Sequence, residues 1–263
     1  YSDNFLDDPG VTDEHKKAFS KRFDTRLHGE KVIPANHTEK QLFRLVELFE
    51  KQYNRKDFPE VYQSLYAIQK GQTHSLGLIH CNGLDKAKIR EICFEKGGAS
   101  VLADGYLVAG KLTPEQEQAL FGYGVYLQLL DDIQDVKEDT EGQTKTLFSC
   151  CDENKSLGAF VNKTIHFGRT VMQEMCCFKE TDTEVMLRLM NRSIEMMIIE
   201  SVGMNPGYYP EKFLTEMEKY SPLRFDYLRK KRTQSKSQRF SLFRKYFEQA
   251  PKQAPNEKKQ FSP

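Results

Sequence analysis

The chain has 263 residues, 39 Lys and Arg against 38 Asp and Glu, and a formal net charge of +1. That length supplies ample core for one large domain, and 29% charged with 38% apolar residues excludes a chain disordered throughout. No apolar run is long enough for a membrane helix, and the near-zero charge argues against a general nucleic-acid binder.

The apolar periodicity is helical nearly everywhere. Leu42, Leu45, Val46 and Phe49 recur at three- and four-residue steps, and Val61 to Lys70 repeats the pattern behind Pro59. A loop is expected at Gly71–Leu76. Leu84 to Val108 reads as a long helix interrupted at Gly97-Gly98. Thr113-Pro114-Glu115 is a helix start, with a cap, a Pro and an early acid, and that helix is expected to run to about Val136. Further helices are predicted over Leu157–Glu174, Thr183–Val202 and Pro210–Lys231, with a loop at Asn205-Pro206-Gly207 between the last two. No alternating strand pattern is evident. The prediction is an all-α fold, a single helical bundle over residues 1–248, followed by a basic, disordered tail over 249–263.

Six cysteines, Cys81, Cys93, Cys150, Cys151, Cys176 and Cys177, form no C-x-x-C pair, so reduced thiols and a cytoplasmic location are expected. The histidines argue against a di-iron bundle, because none has Glu three positions earlier. Charge is unevenly spread. Acidic stretches at Tyr1–Asp8 and Asp131–Asp139 offset a basic C-terminal segment. Within that segment Phe240 to Phe247 can form an amphipathic helix, for which surface packing or weak membrane-surface contact is the expectation.

The most informative stretch is Gly124-Val-Tyr-Leu-Gln128-Leu-Leu-Asp131-Asp132-Ile-Gln-Asp135. Asp131 and Asp135 are four residues apart on one helix face, with Gln128 one turn before. Apolar neighbours raise the cost of keeping two carboxylates ionised, so something positive should face them. Mg²⁺ typically takes one or two carboxylates plus water and phosphate oxygens. Asp3 and Asp7 repeat the spacing, and two such faces across a cavity can hold metal ions and a diphosphate.

Gly124–Asp135 resembles the second aspartate-rich motif of the class I isoprenoid synthases, with Leu127 where the family usually has Phe. Asp3-Asn4-Phe-Leu-Asp7 is similar to the first motif, D-D-x-x-D, with Asn4 replacing its second Asp. Lys96-Gly97-Gly98 resembles the Lys element between the motifs, and Lys145 sits where the family places a diphosphate-binding Lys. Arg224-Phe225 looks like a variant of the C-terminal Arg-Tyr pair of terpene synthases. The resemblance implies an α-helical bundle with a central apolar cavity, in which Asp3, Asp7, Asp131 and Asp135 bind Mg²⁺. By the same resemblance Lys96, Lys145 and Arg224 hold the diphosphate of a prenyl diphosphate, and Gln128 lies beside the reacting chain. Tyr106, Tyr123, Tyr126 and Phe121 are candidates to stabilise a carbocation, against ordinary packing.

The residues after Asp8 lack the Arg-Arg-Gly element of chain-elongating prenyltransferases, which favours ionisation of one diphosphate, as in a terpene synthase. Against that, the Asn/Asp-x-x-Ser/Thr-x-x-x-Glu triad of terpene cyclases is absent from the sequence. A trans-prenyltransferase and a catalytically silent prenyl-diphosphate-binding homologue are the alternatives. The first motif falls at residue 3, so the family's earlier helices are expected to be missing from this chain. A homodimer is a further expectation from the family.

Overall fold

The computed structural model describes residues 10–79, 81, 83–150 and 156–231. Asp3, Asp7, the Phe240–Phe247 segment and the tail over 249–263 lie outside the described residues. The described residues are helical with one isolated bridge, between Ile79 and Thr144, which establishes the all-α class. In chain order the helices are α1 (Asp13–Leu27), α2 (His37–Gln52), α3 (Pro59–Ser75), α4 (Lys86–Ala109), α5 (Pro114–Gln134), α6 (Val136–Glu141), α7 (Gly158–Glu174), α8 (Thr183–Met204) and α9 (Glu211–Glu218). No described helix is long and apolar enough to cross a membrane.

Helix α5 is the centre of the bundle. It packs along α4 on one side and against α7 and α8 on the other. Its apolar residues go nearly all the way round, as a buried helix requires. Val125, Tyr126, Leu129, Leu130 and Ile133 join Val161 of α7 and Ile194, Ile198 and Val202 of α8 in the largest core cluster. Its start is the expected Thr113 cap and Pro114, and Gln116 completes a capping box with Thr113. A second cluster forms where α1, α2, α3 and α4 meet, around Leu27, Val46, Val61, Tyr62 and Tyr106.

Several boundaries differ from expectation. Helix α4 runs unbroken through Gly97 and Gly98, because there the glycines serve close approach rather than a bend. A methyl group on Gly97 would stand 2.5 Å from Gln128 Cβ and 2.8 Å from the Gly124 carbonyl oxygen, and one on Gly98 would meet the Phe121 ring. The expected loop at Gly71 is helix. Gly71 instead lets α3 reach the backbone of α4, with Lys96 Cα 3.2 Å from where a Cβ would be. Chain reversal waits until the 3₁₀ turn Leu76–Leu78. The helix begun at Thr113 ends at Gln134, and Asp135 separates it from α6 (φ −99°, ψ 10°). Asn205-Pro206-Gly207, expected as a loop, enters a 3₁₀ turn over Pro206–Tyr208. The helix expected over Pro210–Lys231 is broken after Glu218, and residues 225–231 are helical again. Phe225 packs against Gly203, where a Cβ would clash with its ring.

Candidate functional site

The close crossing of α4 and α5 sets the geometry of the candidate site. Gly97, Gly98 and Gly124 bring the two backbones together two turns before the acidic stretch. Lys96 therefore stands on the α4 side of the crossing, and its charge acts on Asp132 and Asp139. Asn205 fixes the far end of α5. Its buried amide donates to the carbonyls of Gln134 (3.2 Å) and Ile133 (3.5 Å), which have no partner inside the helix.

Four aspartates occupy the end of α5 and the start of α6. Asp131 is exposed, Asp135 and Asp139 are half-buried, and Asp132 is buried at 2% exposure. The side chain of Gln128 donates to Asp132 Oδ1 at 2.9 Å, while Asp132 Oδ2 is buried without a hydrogen-bond partner. Burial first, then the charges of Asp139 and Asp131, push the Asp132 carboxyl up to about 7 against the pull of Gln128 and Lys96. Asp139 is pushed up to about 7 as well, by burial and by Asp135 and Asp131, opposed by a hydrogen bond from Thr146 and the charge of Lys96. Below them lies the buried Cys93, whose thiol is pushed up by burial and by Asp132.

Lys145 lies in the segment after α6. Its N–H donates to the Leu78 carbonyl at 2.9 Å, and its charge acts on Cys150. Arg224 pairs with Glu218 at 3.3 Å, and its side chain is 82% exposed. Its neighbour Phe225 is core. Among the aromatic candidates, Tyr126 is fully buried against Gly168 of α7 and Tyr106 is bonded to Glu117, so both take the packing role. Tyr123 lies against the main core, and Phe121 covers Gly98.

The structure thus gathers Lys96, Gln128, Asp131 and Asp135 around one helix end. It adds Asp132, Asp139, Thr146 and Asn205, to which the sequence pattern had assigned no role. The i+8 step from Asp131 to Asp139 was a usable signal for one of them. Among the described residues, no three His, Cys, Asp or Glu side chains converge closely enough to enclose a metal ion by themselves. The donor set nevertheless suits a hard divalent cation. It consists of carboxylate oxygens, one of them buried and unpartnered, in mutual repulsion that a positive charge relieves. No family model, curated protein or solved structure matches the chain.

Proposed function

We propose that the chain is a Mg²⁺-dependent class I isoprenoid enzyme of the terpene synthase type, which ionises a prenyl diphosphate. The observation that supports this reading is the end of α5, where burial and neighbouring carboxylates push Asp132 and Asp139 up to about 7. Folding stability alone gives no reason to keep four aspartates there. In this reading Asp131 and Asp135, with Asp3 and Asp7 across a central apolar cavity, hold Mg²⁺, which neutralises charge as the diphosphate departs. Lys96 and Lys145 bind diphosphate oxygens, and Arg224 reaches them only if the 221–224 segment moves from its pairing with Glu218. Gln128 and Lys96 hold the carboxylates in place before the ligand arrives. Exclusion of water then protects the carbocation until it loses a proton or is quenched.

Incubation with labelled prenyl diphosphates and Mg²⁺, with and without isopentenyl diphosphate, tests the reading. Hydrocarbon or alcohol from a single substrate is the expected product. Longer diphosphates formed only with isopentenyl diphosphate would replace it with a prenyltransferase. No turnover at any chain length, with pyrophosphate still bound, would leave a silent prenyl-diphosphate binder.

A further inference from the structure

A pocket of about 390 Å³ lies between α7 and α8, with Met217 of α9 and Tyr220 also on its wall. None of its lining residues belongs to α4, α5 or α6, so it is separate from the carboxylate site. Its size is that of a small-molecule site.

The short connection between α7 and α8 makes them an antiparallel pair. Arg169 of α7 and Glu195 of α8 meet across the groove at 2.8 Å, which sets the register of the two helices. One turn from that bridge, on the same two faces, stand Ile165 of α7 and Ile199 of α8. One turn the other way along α8 is Arg192. The pocket therefore has two unlike ends. Arg192 and the Arg169–Glu195 bridge form the charged end. Ile165, Ile199 and Met217 form the apolar end, where Ile199 and Met217 are buried.

The charged end is not balanced. Glu195 Oε1 accepts from Arg169 and also from the Asn191 amide at 3.2 Å. Arg192 has no ion-pair or hydrogen-bond partner among the described residues. Two guanidinium groups against one engaged carboxylate leave one positive charge in excess.

We propose that this pocket binds a small amphipathic monocarboxylate, with its head group on Arg192 and its apolar body over Ile165, Ile199 and Met217. A guanidinium presents two parallel N–H donors that match a carboxylate. One negative charge balances the charged end, whereas a doubly charged phosphate ester would leave an excess of negative charge beside Glu195. Met196, between the two ends, supplies a flexible thioether that adapts to the shape of the ligand. The site requires no Mg²⁺ and does not rest on the prenyl diphosphate reading.

Calorimetric titration of the full chain with octanoate, in the absence of Mg²⁺, tests the proposal. Saturable one-to-one binding is expected. The uncharged 1-octanol should bind about tenfold more weakly, and so should octanoate to Arg192→Gln, the size of one lost charge-assisted hydrogen bond. Arg192 is exposed, so its substitution leaves the packing of the helices intact. Met196→Trp fills the pocket and should abolish binding, with a thermal melt to show that the variant is folded. Equal affinity for 1-octanol, unchanged affinity in Arg192→Gln, or binding that survives in folded Met196→Trp would each overturn the proposal. The same holds if no saturable binding is seen up to about 1 mM octanoate. Displacement of octanoate by pyrophosphate with Mg²⁺ would also overturn it, because that result places octanoate at the carboxylate site. Failure of the prenyl diphosphate reading leaves all of these outcomes unchanged.

Discussion

The two ends of the bundle treat buried acids in opposite ways. Around α1–α3 the buried Glu39 and the half-buried Glu50 are both matched. Glu39, fully buried, is gripped by Arg22 at 2.5 and 3.0 Å and by the Ala35 N–H at 2.7 Å. Burial alone would raise its carboxyl, but these partners hold it below the usual range. Glu50 takes a two-point grip from Arg26 (2.9 and 2.6 Å) and a third bond from Arg55, which bring it down to about 2. At the end of α5 the same kind of burial meets carboxylates instead of guanidinium groups, and Asp132 and Asp139 rise to about 7. One region spends its charges on stability. The other sets Asp132 and Asp139 beside further carboxylates, with the charge of Lys96 acting on both.

The largest test breaks the matched region. Arg22→Ala leaves Glu39 buried and unpaired and should cost about 3 kcal/mol, read by chemical denaturation. A loss under about 0.5 kcal/mol would mean that the pair is no more than a surface bridge. The opposite sign is expected at the other end. Asp132→Asn keeps an acceptor for Gln128 and removes a buried charge, so it should stabilise the fold by roughly 2 kcal/mol at pH 8. Destabilisation there would mean that Asp132 is as well matched as Glu39.

A pH series sharpens the contrast. Asp132 and Asp139 titrate higher in the folded state than in the unfolded chain, where an aspartate ionises near pH 4. Their contribution is therefore full below about pH 4 and is lost as pH rises to about 7. Glu50 is depressed, so its contribution is present above about pH 4 and is lost as pH falls toward 2. Melting curves from pH 5 to 8 should show a falling Tm in wild type and a flatter profile in Asp132→Asn. Parallel profiles would contradict the assignment. The smallest effect is expected from Asn205→Ala, which removes the side-chain bonds to the end of α5 and should cost about 1 kcal/mol. The position of the carboxylates should loosen with it, seen as faster amide exchange at residues 133–136.

The fold was legible where local chemistry decides structure. Thr113-Pro114 announced α5, and Pro59 announced α3. Helix α1 went unpredicted although Phe19, Phe23 and Leu27 form an i, i+4, i+8 stripe behind the Thr12 cap, because charged residues fill the spaces between them. Gly97-Gly98 suggested a break because glycine's low helix propensity is a local property, whereas its use here depends on the backbone of α5. The site was legible to the same degree. The spacing of Asp131 and Asp135 put them on one face. That Asp132 turns into the core, toward Cys93 and Lys96, depends on where α4 packs. The roles of Asp139 and Thr146 depend on a loop that folds back onto Leu78.

The central claim is that the α5 carboxylates hold a metal-bound diphosphate. Calorimetric titration of the full chain with pyrophosphate, with and without Mg²⁺, and with Asp131→Ala and Asp135→Ala, tests it most directly. The account predicts binding only when Mg²⁺ is present and a loss of at least about tenfold, or 1.4 kcal/mol, in each variant. Pyrophosphate binding that is indifferent to Mg²⁺ and to both substitutions would contradict it.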